Sequence, residues 1–145
     1  MPQYDEGKIT TIVSQMKSSL LRLKNLSLLT QEEFVRDPDK VGSAKYHFIV
    51  AIESIIDMGN HVISRNGLRI PEDYADTFGV LQEAGIIDPA FSEKLVKMSK
   101  FRNRLVHMYW KIDDVVVYDI LQNYLEDFET FFGMLARYLG LNNSR

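Results

Sequence analysis

The sequence predicts an all-α protein, an antiparallel bundle of four long helices with one short extra helix. Three observations lead there. Apolar residues recur at helical spacing through four long segments. Capping residues, prolines and glycines fall where those segments should begin and end. No segment reads convincingly as a strand. At 145 residues with 46% hydrophobic content, the chain can bury one core and is too short for two independent ones, so residues 1–145 read as a single domain.

From about Asp5 to Leu29, residues Ile9, Ile12, Val13, Met16, Leu20, Leu23 and Leu26 keep helical spacing with Lys and Arg between them, an amphipathic first helix. Thr30-Gln-Glu-Glu33 has the form of a capping box, and Asp37-Pro38 suits an N-cap followed by proline at the first helical position. A short turn of helix therefore leads into a long second helix that ends at Asn66-Gly67. After a connector through Leu68-Arg-Ile-Pro71, Glu72 to Glu83 reads as a short helix closed by Gly85. Asp88-Pro89 then starts the third long helix with the same cap-and-proline device. Asp113 or Asp114 caps the last helix, where Val117, Ile120, Leu121, Tyr124, Phe128, Phe131, Phe132, Leu135, Tyr138 and Leu139 make an uninterrupted apolar face. Those aromatics read as core or interface, and the β-branched run Val115-Val-Val117 could loosen the start of that helix.

The chain has no cysteine, which excludes a disulfide framework, a thiolate nucleophile and a zinc-thiolate site, and is consistent with a reducing cytoplasm. No signal peptide, membrane-spanning run, repeat or low-complexity linker is evident. The expectation is a compact cytoplasmic protein without a membrane partner.

Chemistry concentrates in Phe101-Arg-Asn-Arg-Leu-Val-His-Met-Tyr-Trp110. Wound as a helix at about 100° per residue, positions 94 to 109 gather Leu95, Met98, Leu105, Val106 and Tyr109 on one face, with Arg102 in its middle. A guanidinium stays charged, so an arginine there needs a carboxylate, a second subunit or an anionic ligand. A buried salt bridge alone would satisfy it. Beside that face lie Lys97, Lys100 and Arg104, followed by Asn103 and His107. Five basic residues fall between positions 94 and 104, with Glu93 the only acid nearby, in a chain of net charge −3. Such a run is ordinarily a solvated face. With His107 at its end it reads as a phosphate-binding track leading to a proton-transfer group. Arg102 and His107 are five residues apart, about 140° around a helix, so they do not share a face. They converge only if the helix ends or distorts near His107, or if a two-fold dimer sets the helix against its own copy; the dimer is preferred because it also covers the apolar face.

On the second long helix, Tyr46, Glu53, Asp57, Asn60, His61 and Ser64 form a narrow polar strip bordered by Ile49, Ile52, Ile56 and Ile63 on one edge and Ala51, Ile55, Met58 and Val62 on the other. It reads either as an internal hydrogen-bond network or as a support in which Glu53 or Asp57 pairs with Arg102 or orients His107. Asp57 and His61 at i and i+4, with Glu53 a turn earlier, also suggest a metal site, although no second matching pair appears and no metal is expected. His47 lies off the strip as a packing or surface histidine.

The spacing Arg102-x4-His107-x-Tyr109 resembles the R-x4-H-x-Y signature of HepT-like toxins, a branch of the HEPN superfamily. Ala51-Ile-Glu-Ser-Ile-Ile-Asp-Met-Gly-Asn-His61 upstream, Phe101-Arg-Asn before the motif and Ile120-Leu-Gln-Asn-Tyr-Leu-Glu-Asp-Phe-Glu129 after it extend the resemblance over most of the chain. It implies a dimeric helical bundle with its cleft at the subunit junction. It further implies a metal-independent endoribonuclease without a cofactor, acting as the toxin of a two-gene toxin–antitoxin pair. In such a site Arg102 would stabilise the phosphorane and His107 would move the proton, giving a 2′,3′-cyclic phosphate and a 5′-hydroxyl. Asn103, Tyr109, Glu53 and Asp57 would support them, and Lys97, Lys100 and Arg104 would hold RNA. By the same resemblance Tyr109 is the acceptor of AMP from a minimal nucleotidyltransferase antitoxin, which would block the phosphate site by bulk and charge. Two alternatives stand beside this one: a non-catalytic binding or scaffold subunit of the nucleotidyltransferase, and a metal-dependent hydrolase on Glu53, Asp57 and His61.

Overall fold

The computed structural model describes residues 2–141. Seven α-helices follow in order: α1 (Glu6–Ser27), α2 (Gln31–Val35), α3 (Pro38–Arg65), α4 (Tyr74–Glu83), α5 (Pro89–His107), α6 (Asp114–Asn123) and α7 (Glu126–Leu139), with a 3-10 turn at Tyr109–Lys111 between α5 and α6. No strand occurs among the described residues.

The helix starts follow from local chemistry. Asp5, Asp37, Asp73, Asp88 and Asp113 each accept backbone N–H groups at the first turn of α1, α3, α4, α5 and α6, satisfying donors that have no partner within the helix. Thr30 and Glu33 form the reciprocal capping box at α2. Pro38 and Pro89 stand in the first turns of α3 and α5, where proline sacrifices no hydrogen bond. Gly67, Gly85 and Gly140 take positive φ just beyond α3, α4 and α7, the left-handed geometry that ends a helix. The short helix begins at Tyr74, two residues later than the composition suggests, because Asp73 is its cap.

Side-chain links fix the directions. Asp5 N–H meets His61 Nε2 at 2.8 Å while Ser19 Oγ lies 3.1 Å from His47 Nδ1. Numbers rise along α1 as they fall along α3, so the two helices are antiparallel. Lys45 with Tyr109 and Glu53 with Arg102 establish the same relation between α3 and α5. α3 is the central helix: Phe48, Ala51, Ile52, Ile55, Ile56, Met58 and Val62 are at most 1% exposed. Gly59 gives α4 its close approach. A Cβ there would lie 2.8 Å from Thr77 Cγ2 and 3.1 Å from Leu81 Cδ1.

Two expectations are corrected. The last helix is not continuous: it breaks at Tyr124 and Leu125 into α6 and α7. Asn123 turns its side-chain amide back onto the Asp119 carbonyl at 2.8 Å, local bonding that competes with helix continuation. The apolar stripe hides the break because both pieces still face the core through Leu121, Leu125 and Phe128. The motif helix also does not extend to Tyr109. It ends at His107, Met108 leaves helical geometry at φ −137° and ψ 40°, and Tyr109 belongs to the 3-10 turn. Tyr109 is thereby carried off the buried face that Leu95, Met98 and Leu105 do form, and Val106, still helical, is exposed as well. The valine run at 115–117 is helical throughout.

Candidate active site

Arg102 projects from α5 toward α3, and the carboxylate it requires is Glu53. Arg102 Nη2 and Nε donate to Glu53 Oε2 at 2.6 and 3.0 Å, and Nη1 donates to Asn103 Oδ1 at 3.1 Å. Three of five guanidinium donors are thereby engaged, leaving two for an incoming anion. The arginine side chain is 14% exposed, whereas Glu53 is 41% exposed, so the pair sits at a surface with its cation sunk and its anion outermost. Tyr74, the first residue of α4, presents its ring 5.0 Å from the guanidinium carbon, a cation–π contact that guards the other side. Charge, planarity and fixed orientation suit this arginine to a phosphate.

Asp57 lies one turn beyond Glu53 on α3. It is exposed, yet partial desolvation, reinforced by the like charge of Glu53, raises its carboxyl above its ordinary value against the opposing pull of Lys8 and Arg102. The polar strip continues through Asn60, which accepts from Thr77 Oγ1 at 2.8 Å, to buried His61. Burial, followed by the charges of Arg65 and Lys8, lowers the basicity of His61, and its Nε2 accepts the Asp5 N–H. The strip is therefore in good part an internal hydrogen-bond network tying α1 and α4 to α3. Among the described residues no group of three or more His, Asp or Glu is placed to hold a metal ion. His47, against Ser19, has its basicity lowered by burial and then by Arg22, as a packing histidine would.

Tyr109 lies elsewhere. Lys45 on α3 is only 5% exposed and holds the turn that carries this tyrosine. Its ammonium donates to the Tyr109 carbonyl at 3.0 Å, sits 4.3 Å from the centre of the Tyr109 ring, and lies 3.9 Å from Asp114 Oδ1. The phenol oxygen runs along α3 at Gly42, where an added Cβ would approach it to 3.5 Å. The residue as a whole remains 40% exposed. Between Lys45 and Glu53, Phe48 packs edge-on against Phe101 at 5.7 Å, so α3 aligns the motif at three successive points.

Arg102, Glu53, Asn103 and Tyr74 are thus one cluster, with Asp57 beside it. Tyr109, Lys45 and Asp114 are another, displaced by eight residues of α3, or about 12 Å at 1.5 Å per residue. His107 is exposed at the end of α5, and the hydrogen bonds of Arg102 go to Glu53 and Asn103 rather than to it. The helix end at His107 does not by itself join the two in one chain. Lys97, Lys100 and Arg104 line a groove shared with α6. Lys45, Gly42 and Tyr74 are absent from the sequence reading: a lysine two turns into a helix looks solvated, and nothing local to Tyr74 marks a cation–π partner.

Comparison with known proteins adds a family. A model described as Ribonuclease HepT-like matches residues 16–135. The mRNA nuclease HepT of Shewanella oneidensis is 35% identical over 83 residues, 57% of this chain and 62% of that protein, so the match spans less than two thirds of the relative's length. The structure resembles that of a tri-AMPylated Shewanella oneidensis HEPN toxin in complex with MNT antitoxin, with a TM-score of 0.82 and 27% identity, covering 89% of this chain and 96% of that one. It also shares its fold with YutE, a cytosolic protein from Bacillus subtilis, at a TM-score of 0.82 and 21% identity over 96% of this chain and 93% of the other. With the matched span taking in α3, the Arg102–Glu53 pair and the whole R-x4-H-x-Y segment, the chain belongs to the Ribonuclease HepT-like family.

Proposed function

We propose that the protein is a metal-independent endoribonuclease, the toxin of a HEPN/MNT-type pair, which cleaves RNA in a cleft built by two copies of the chain and is silenced by AMP transfer to Tyr109. The observation that carries this reading is Arg102: a guanidinium held at a surface by Glu53 and Tyr74 with two donors still available. In the reaction the 2′-oxygen attacks the adjacent phosphorus as its proton passes to a base, and the bond to the 5′-oxygen breaks as that oxygen gains a proton. A 2′,3′-cyclic phosphate and a 5′-hydroxyl result. Arg102 stabilises the added negative charge and His107 is the proton-transfer group. Asn103 and Glu53 orient Arg102, Asp57 supports the same cluster, and Lys97, Lys100 and Arg104 attract the substrate backbone. No step calls for a cofactor.

The homodimer belongs to the proposal because one chain keeps Arg102 and His107 on different sides of α5. Setting two copies about a two-fold axis beside that helix supplies each arginine with a histidine from across the junction and covers Val106, Met108 and Trp110, which are 42%, 40% and 79% exposed. The partner antitoxin is a minimal nucleotidyltransferase. An AMP on the Tyr109 oxygen places a phosphodiester charge and a purine beside the motif, opposing RNA entry by charge and bulk. None of the described helices is long and apolar enough to cross a membrane, and with a cysteine-free chain the proposed setting is the cytoplasm.

Induced expression tests the reading. Growth arrest by the unaltered chain, lost in His107→Ala and in Arg102→Ala and relieved by co-expressing the nucleotidyltransferase, is the expected result. Relief that persists unchanged in Tyr109→Phe, without AMP found on the protein, removes Tyr109 as the acceptor.

A further inference from the structure

On the side of α5 away from Arg102, the cations assigned above to attracting the RNA backbone border a groove to which the proposed reaction gives no occupant. Between α5 and α6 lies a groove of about 510 Å3, within the range of roughly 300–1,000 Å3 typical of ligand sites. Met98, Phe101 and Ile120 form its apolar floor, and Tyr124, at the break between α6 and α7, stands at its edge with 40% of its surface exposed. Lys94, Lys97, Lys100 and Arg104 surround it. None of these four lies within ion-pair distance of a carboxylate among the described residues. The lining contains one acid, Asp119, whose Oδ1 accepts from Asn123 Nδ2 at 3.0 Å.

We propose that this groove receives an unpaired nucleotide of single-stranded RNA, its base on the Tyr124–Ile120–Phe101 surface and its flanking phosphates on the lysines and Arg104. The inference rests on the endoribonuclease reading for its choice of RNA. Charge complementarity and continuity support that occupant. Lys97, Lys100, Arg104 and His107 occupy positions i, i+3, i+7 and i+10, one line along α5 about 15 Å long at 1.5 Å per residue. The cationic track therefore ends at the proposed proton-transfer group, and the groove becomes a subsite for the strand beside the scissile phosphate. An aromatic edge over an apolar floor with cations around it meets what a splayed base and its phosphates require, whereas a duplex keeps its bases stacked inside. Asp119 accepts from an exocyclic amine, which favours cytosine, adenine or guanine over uracil in the groove.

The test measures binding rather than cleavage. Fluorescence anisotropy of a labelled mixed-sequence 12-nucleotide RNA is followed with His107→Ala protein, in which the RNA stays intact. Adding Tyr124→Leu should weaken binding about 5- to 150-fold, the effect of one lost stacking contact of roughly 1–3 kcal/mol. Tyr124→Phe should stay within about twofold, which separates stacking from the role of Tyr124 at the helix break. Lys97→Ala with Lys100→Ala should flatten the salt dependence of binding, and Asp119→Asn should narrow the preference for oligocytidine over oligouridine. Unchanged affinity in Tyr124→Leu and in the double lysine variant overturns the proposal. Variants that bind RNA normally but lose association with the nucleotidyltransferase also overturn it, because the groove then holds a protein. If the unaltered chain cuts no RNA while Tyr124-dependent binding persists, the endoribonuclease reading fails and the groove stands.

Discussion

Removing Glu53 should expose how much of Arg102's placement is built into the fold. The perturbation is a double-mutant cycle of Glu53→Ala, Arg102→Ala and the double variant, followed by urea unfolding. An exposed ion pair couples by roughly 0.2–1 kcal/mol, whereas truncating one partner of a fully buried pair costs about 3–5 kcal/mol. Here Arg102 is 14% exposed but Glu53 is 41% exposed, and both short hydrogen bonds end on one carboxylate oxygen. Water can compensate the glutamate side and reaches the arginine less well, so the coupling should be about 1–2 kcal/mol. Glu53→Ala alone should destabilise more than Arg102→Ala, because it strands a sunken cation. In RNA cleavage, Glu53→Ala should lower kcat by about ten- to a hundredfold through misplacement of Arg102, and Glu53→Gln, which retains an acceptor, should lose less. Coupling below about 0.5 kcal/mol, the level at which independent sites simply add, would refute the view that Glu53 holds Arg102.

Further outcomes follow from the same geometry. Lys45→Met should loosen the Tyr109–Lys111 turn by about 1–2 kcal/mol, the loss of a charged hydrogen bond and a cation–π contact. Hydrogen exchange at residues 108–112 should then quicken about tenfold with AMP transfer to Tyr109 slowed, and unchanged exchange would show that Lys45 does not anchor the turn. His61 is held neutral, so its contribution is complete above its ordinary value of 6.5 and is lost as pH falls from there through its lowered folded value. The urea midpoint should accordingly drop between pH 7.5 and 5.5, and a slope equally steep in His61→Asn would clear this histidine. Asp57, shifted the opposite way, penalises the fold once ionised. Asp57→Asn should raise Tm at pH 7, with a gain that fades as pH falls toward 3.8 and below, the ordinary value of its carboxyl; a lower Tm at pH 7 would contradict it.

The fold was legible because its punctuation is chemical and local. Thr30, Asp37, Asp88 and Asp113 are capping residues whose function needs only their own first turn, and each caps a helix where the sequence places a start, Asp113 rather than Asp114 at the last. The break at Tyr124 was hidden because both α6 and α7 keep their apolar residues inward, so hydrophobic period alone runs through it. Of the site, Arg102 was legible as a cation stranded in an apolar stripe, and Glu53 was one of two carboxylates suited to meet it. The attachment of Tyr109 was not, since it depends on Lys45 reaching across 64 residues of sequence. The assignment of Lys97, Lys100 and Arg104 to one side of α5 followed from spacing, but the groove they border is closed by Ile120 and Asp119 of α6 and required the packed structure.

The central claim is tested most directly by incubating a defined single-stranded RNA with the purified, unmodified protein in EDTA, beside Arg102→Ala and His107→Ala, and identifying the product ends. The account predicts cleavage that survives the chelator, leaves 2′,3′-cyclic phosphate and 5′-hydroxyl ends, and disappears in both variants. Absence of cleavage by protein shown by mass spectrometry to carry a bare Tyr109 would contradict it, and would favour a non-catalytic subunit that serves the nucleotidyltransferase by binding.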